Sequence, residues 1–158
     1  QIYLAMADVT HIPLQDELFD FIACSEVLEH VPDWHKALQE FFRLLKPGGT
    51  LIVSTPNKIS MYGLTRYPGR RLIGSKHPYD SWKSYLELRK SLKVAGFKVS
   101  DARGSCYLPG DISYYQPFKS ILIHSLPLVR YLDKILSSMW PFTFLGYCIV
   151  VKCKKMGS

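Results

Sequence analysis

Residues 18–57 read LFDFIACSEVLEHVPDWHKALQEFFRLLKPGGTLIVSTPN, and the fold follows from them. Residues 18–23 are a short apolar run rich in β-formers and interrupted only by Asp20, the pattern of a strand covered on both faces. Asp33 is placed to cap a helix whose apolar residues Trp34, Ala37, Leu38, Phe41 and Leu45 recur at three- and four-residue steps. The tetrapeptide Lys46-Pro47-Gly48-Gly49 is expected to stop that helix, because proline cannot continue the ladder and glycine tolerates a left-handed turn. Residues 50–54 then form a second β-branched apolar run. Strand, helix and strand within so short a span predict a right-handed parallel crossover, the unit of an open α/β sheet.

In such sheets ligands bind beyond the carboxyl ends of the strands. Those ends are Cys24-Ser25-Glu26, leading into Val27-Leu28-Glu29-His30, and Thr55-Pro56-Asn57. Both are polar and poor in bulky side chains, so both are expected to wall a small-molecule site.

Three pieces in order, ADVTHIPL, FDFIACSEVLEHV and ALQEFFRLLKPGGTLIVSTPN, resemble the middle of class I S-adenosylmethionine-dependent methyltransferases, nearest the branch that includes quinone-biosynthesis enzymes. HPYDSWKSYLELRKSLKVAGFKV is similar to the segment before that family's sixth strand, and GYCIVVKCKK to its terminal strand. The resemblance implies a Rossmann-like methyltransferase sheet whose last strand is antiparallel, with S-adenosylmethionine as cofactor. It also implies methyl transfer to a small acceptor, for which the basic segment favours an anion and the many aromatics a ring or lipid. No GxGxG pattern occurs in the 158 residues. The expectation is therefore the C-terminal part of a methyltransferase domain, its first two strands absent, weak or inactive by itself.

By the same resemblance, residues 2–7 are the family's third strand. Asp8 meets the adenine amino group, and the backbone amide of Val9 reaches the ring. A carboxylate accepting from an exocyclic amine is sound chemistry, although an Asp after a strand also commonly caps a turn. Cys24, Ser25 and Glu26 are expected to line the cofactor, chiefly through backbone groups. His30 is the first candidate to take a substrate proton, since an unperturbed imidazole titrates at about 6.5; a buried histidine bonded to a loop is the structural alternative. Asp20, inside its strand, is expected to be structural. His77 and Tyr79, with Tyr62, are pocket candidates on the substrate side.

Charge changes abruptly along the chain. Residues 1–57 carry three Lys/Arg and eight Asp/Glu, residues 58–103 eleven and three, residues 104–158 six and two, giving the net +7. The basic middle, with Arg66, Arg70, Arg71 and Lys76 among Tyr62, Tyr67 and Tyr79, suits an anionic substrate. A basic nucleic-acid-binding module and a non-catalytic α/β fragment are the competing readings, with nucleic acid the less favoured partner. Residues 1–158 read as one domain, with 58–76 and 104–118 as irregular substrate-side segments punctuated by glycine and proline. A helix is expected over 81–95, stopped by Gly96. Residues 120–140 read as two amphipathic pieces around Pro127, too charged to span a membrane. The last strand is expected over 146–152, followed by a frayed tail. Cys24, Cys106, Cys148 and Cys153 lack metal or disulfide spacing, which points to a reducing cytoplasm and no metal. An open sheet edge left by absent strands predicts a homodimer.

Overall fold

A computed structural model of the chain describes residues 2–60, 63–64, 81–105, 131, 134–135, 139 and 144–157. Strand β1 (Phe19–Ser25) leads through a 3-10 turn (Leu28–His30) into helix α1 (Trp34–Leu44) and strand β2 (Leu45–Pro56). Helix α2 (Tyr85–Val94), strand β3 (Phe97–Ser105) and strand β4 (Cys148–Lys155) follow. The four strands form one sheet in the order β1-β2-β4-β3. β1 and β2 are parallel, and β4 runs antiparallel to both β2 and β3. The expected crossover and the antiparallel last strand are both present.

Asp33 caps α1 through its carboxylate, which accepts the Lys36 amide at 3.2 Å. Trp34, Ala37, Leu38, Phe41 and Leu44 form the buried face. The helix ends one step earlier than its apolar period suggests. Leu45 is already extended and buried, and it pairs with Phe19. The next matched pair is Phe21 with Thr50, so residues 46–49 bulge out at the start of β2 instead of terminating the helix. Gly48 takes φ +77°, and a Cβ on Gly49 would lie 2.8 Å from the Lys46 carbonyl oxygen. Lys46 then reaches back to Asp20, its ammonium 2.8 Å from the carboxylate.

One face of the sheet is dry. Cys24, Leu51, Val53, Ile149, Val151 and Cys153 pack with Leu38, Phe41, Leu88 and Leu92 of the two helices. Their alternation along β2 and β4 follows the period-two pleat. β1 departs from the expectation of a strand covered on both faces: Phe19, Phe21 and Ala23 are exposed, because no described element lies over that side of the sheet or against that edge. Residues 2–7 form no strand. Leu4 is 95% exposed and Met6 fully so, since among the described residues their backbone has no neighbouring strand to pair with.

α2 begins four residues later than its periodicity predicts. Ser84 and Glu87 form a capping box, and residues 81–83 are extended beside β2, with Lys83 bridging Asn57. Leu88, Ser91 and Leu92 are buried, and half-buried Tyr85 stacks on Phe144 at 4.4 Å. β4 continues through Lys154 and Lys155, which the sequence places in a frayed tail. The Lys155 ammonium donates to the Leu45 carbonyl at 2.8 Å and to Glu17 at 3.2 Å, above the Phe42 ring. Those partners hold the end of the strand in place. Most of 58–76, of 104–118 and of 120–140 lies outside the described residues, and among those described no helix is long and apolar enough to cross a membrane.

Gly96 takes φ +99°, and a Cβ there would lie 2.7 Å from the Phe42 ring. Gly96→Ala is expected to destabilise the fold by about 1–3 kcal/mol in urea unfolding. Val94→Ala, two residues away at an exposed position, is expected to change it by less than about 0.5 kcal/mol.

Candidate functional site

Because β1 and β2 run parallel, their carboxyl ends arrive side by side, Ser25 paired with Ser54. The two hydroxyls lie 3.0 Å apart. The next residue, Glu26, takes φ +52°, a left-handed conformation costing a non-glycine residue about 1–2 kcal/mol. That turn lets its amide donate to the Ser54 carbonyl at 3.2 Å. Its Oε1 then accepts from Ser54 Oγ at 3.0 Å and from Cys148 Sγ at 3.1 Å. Three strands thus converge on one carboxylate, and strained backbone of this kind clusters at functional sites. Ser54 and Cys148 escape sequence reasoning. Only the pairing of Ser25 with Ser54 and of Pro56 with Cys148 brings them in, and the sequence signal for that is no more than a strand-end position.

Cys24 behaves differently from its neighbours. It points into the core, where burial, with smaller contributions from Glu29 and Glu26, pushes its thiol up to about 12. Its side chain is a neutral filler, and only its backbone faces the strand end.

The other tip is closed. Thr55 and Asn57 are fully buried. The Asn57 side-chain amide donates to the carbonyls of Phe144 and Gly146 at 2.7 and 3.0 Å, and its backbone amide donates to Tyr147 at 2.7 Å. Asn57 therefore pins the segment entering β4 over the end of β2. The expected second wall of Thr55-Pro56-Asn57 is in fact a structural joint, and the exposed polar groups at this end, among the described residues, include Ser25 and Glu26, backed by the buried Ser54 hydroxyl.

Asp8 sits on an exposed turn, its carboxylate accepting from the Thr10 amide at 2.8 Å and hydroxyl at 2.9 Å. Those two bonds hold its pKa below the ordinary carboxylate range. Val9 is half-buried against the core. Arg43 of α1 anchors the loop that follows. Its guanidinium donates to the carbonyls of Leu14 and Ile12 at 2.7 and 2.9 Å and pairs with Asp16 and Glu40. Glu40 in turn accepts the Ile12 amide at 3.0 Å. Hydrogen bonding from Arg43 keeps Glu40 ionised below the usual carboxylate range. His30 stands on the 3-10 turn, 39% exposed, with Nε2 3.9 Å from the buried Glu29 carboxylate. Asp8 and His30 take no part in the hydrogen bonds around Glu26 described above. His77, Tyr79 and Tyr62 lie outside the described residues.

The family described as Methyltransferase domain matches residues 2–53. Over 97 residues the chain is 39% identical to the ubiquinone biosynthesis O-methyltransferase of Xylella fastidiosa strain M23, an alignment covering 58% of this chain and 39% of the relative. The protein of the same name from Xanthomonas euvesicatoria is 36% identical over 97 residues, covering 58% of this chain and 40% of its own. Over these residues the chain is similar to S-adenosylmethionine-dependent methyltransferases. The chain spans about two-fifths of the length of the curated relatives it matches. Its fold agrees with that of a SAM-dependent methyltransferase from Thermotoga maritima at TM-score 0.69 and 20% identity, covering 98% of this chain and 64% of that one. A SAM-dependent methyltransferase from Archaeoglobus fulgidus superposes at TM-score 0.60 and 14% identity, with 96% and 66% covered.

Burial also pushes the Cys153 thiol up to about 12, so it and Cys24 stay protonated and unreactive near neutral pH. Native-state alkylation with iodoacetamide at pH 8, read by peptide mass spectrometry, is expected to leave both unmodified until denaturant is added. Rapid labelling of either in the folded chain would contradict the packing described.

Proposed function

We propose that this chain supplies the acceptor-side part of a methyltransferase that moves a methyl group from S-adenosylmethionine to a small molecule. The observation that carries the proposal is the open end of β1, where Ser25, Glu26 and the Ser54 hydroxyl gather on a left-handed turn beside a dry core. The donor set fits the cofactor. Glu26 offers a carboxylate to a cationic ligand, Ser25 and Ser54 offer hydroxyls, and Asp8 offers an ionised acceptor to an exocyclic amine.

S-adenosylmethionine, when bound, supplies an already activated methyl group, so the protein's work is alignment, exclusion of water and removal of a proton where one must leave. In this reading Asp8 and the Val9 amide hold the adenine, and the backbone of Cys24 with Ser25 and Glu26 holds the remainder. His30, exposed on the 3-10 turn beside Glu29, takes the acceptor's proton, while His77 and Tyr79 contact the acceptor. The clasp of Arg43 and Glu40 keeps the Asp8 loop in register with β1. The names of the relatives and the basic 58–103 segment favour an aromatic or lipid-like acceptor with anionic character. Cysteines without disulfide spacing support a cytoplasmic setting for the enzyme.

Titration of ¹⁵N-labelled chain with S-adenosylhomocysteine tests the binding half. Amides of residues 8–10 and 24–26 are expected to shift, and Asp8→Ala and Glu26→Gln are each expected to weaken the response severalfold. No saturable shift at millimolar ligand, or shifts confined to residues elsewhere, would defeat the assignment.

We also infer self-association through the edge of β1. That edge has no neighbouring strand among the described residues, and exposed Phe21 flanks it. Light scattering is expected to return a dimer mass that Phe21→Lys lowers toward the monomer; a wild-type monomer at high concentration would contradict it.

A further inference from the structure

A cavity of about 590 Å³ lies between the first turn of α1 and helix α2, lined by Trp34, His35, Lys58, Trp82, Lys83 and Lys90 among others. None of the residues around Glu26 borders it. Four of those six residues are basic. The acidic residue on its wall, Glu87, is already engaged. One oxygen pairs with the Lys58 ammonium, and the other accepts from the Ser84 amide and hydroxyl, each at 2.8 Å. Partial burial pushes the Glu87 carboxyl up, but those bonds outweigh it and bring it down to about 2, so it is fully charged and neutralises Lys58.

Lys83 and Lys90 are left over. No carboxylate lies within ion-pair distance of either among the described residues. Lys83 is the informative one, because it is only 4% exposed. Its ammonium donates to Ser81 Oγ at 2.9 Å and sits 4.9 Å above the Trp34 ring. Burial lowers its pKa, against weaker opposing fields from Glu87 and Glu29. A lysine so placed ordinarily snorkels to water. Here it stays inside, on a backbone whose amide donates to the Pro56 carbonyl at 3.3 Å and whose carbonyl accepts the Lys58 amide at 3.1 Å, fixing the main chain to the end of β2. Taking an ammonium out of water costs several kcal/mol, of which a ring face returns about 2. A hydroxyl and an indole are the contacts its ammonium makes, and neither carries a charge to balance it, in a residue that lines the cavity.

We propose that this cavity binds a small organic oxyanion, its phosphate or carboxylate held by Lys83 and Lys90 and its apolar body enclosed by the Trp34 and Trp82 walls. The volume lies within the range of small-ligand sites and exceeds what an inorganic anion fills. The site is separate from the strand-end surface assigned to the methyl donor, and neither proposal depends on the other.

The test is a tryptophan-fluorescence titration of the full chain at constant ionic strength with phenyl phosphate, benzoate, inorganic phosphate and phenol. Phenyl phosphate or benzoate is expected to saturate, the tighter of the two identifying the head group; inorganic phosphate should bind more weakly and phenol not at all. Lys83→Met and Lys90→Glu are each expected to raise Kd tenfold or more. Should Lys83→Met lose its far-UV circular dichroism, Lys90→Glu decides, since Lys90 is exposed and its exchange leaves the core intact. Absence of saturation with both aryl anions, binding of phenol equal to that of phenyl phosphate, or an unchanged Kd in Lys90→Glu would each overturn the proposal. No methyl donor is present in the titration, so its failure would leave the methyl-transfer reading untouched.

Discussion

Between Phe21 and Ser25 the first strand hydrogen-bonds to Thr50–Ser54 of the second in unbroken parallel register. A parallel neighbour cannot be reached by a tight turn, so the chain must leave the sheet, cross it as a helix and return. α1 is that crossing, and its apolar face covers Leu51 and Val53 as a consequence. The same parallelism delivers Ser25 and Ser54 to one end of the sheet together. Antiparallel pairing would have put them at opposite ends, with no shared carboxylate at Glu26.

β2 is then completed from the other side by β4, whose insertion between β2 and β3 joins the sequence-distant end of the chain to the center of the sheet. Asn57 and Lys155 hold the two ends of that join. Asn57 binds carbonyls at the entry to β4, and Lys155 binds the Leu45 carbonyl at its exit. Each is a polar side chain buried with its hydrogen bonds made, the condition under which burial of such groups is tolerated. The consequence for function is an asymmetry of the strand ends. β2 is sealed by its join to β4, whereas β1 keeps an accessible polar end.

Two polar clusters then serve different purposes. Around Glu26 the groups are small and share one carboxylate, with Ser25 and Glu26 exposed over a buried Ser54, suited to positioning a ligand by hydrogen bonds. Around Lys83 the groups are large and basic, and their charge is not balanced by the neighbouring carboxylate. Arg43 belongs to neither. It ties the 12–16 loop to α1 through two backbone carbonyls and two acids, so that Asp8 is held by a helix that is itself held by the sheet.

The sequence alone determined the local elements of this protein. Asp33 at the helix start, the 3.6-residue apolar period after it, the β-branched run at 50–54 and the glycine at 96 act within a few residues of themselves, and their effects are legible without knowing what lies across the sheet. The family resemblance, carried by short motifs in order, was legible for the same reason. Tertiary structure decided the rest. Residues 2–7 have the composition of a strand, but a strand exists only when another backbone accepts its hydrogen bonds. Residues 46–49 become a bulge because Leu45 is needed in the core opposite Phe19. Asn57 turns from an expected pocket wall into a joint, and Lys155 from a tail residue into a buried anchor, because their partners lie about 90 and 110 positions away in the chain. Ser54 and Cys148 join the candidate site for that reason too: a side chain's chemical role depends on its neighbours in space, and in a sheet those are set by register.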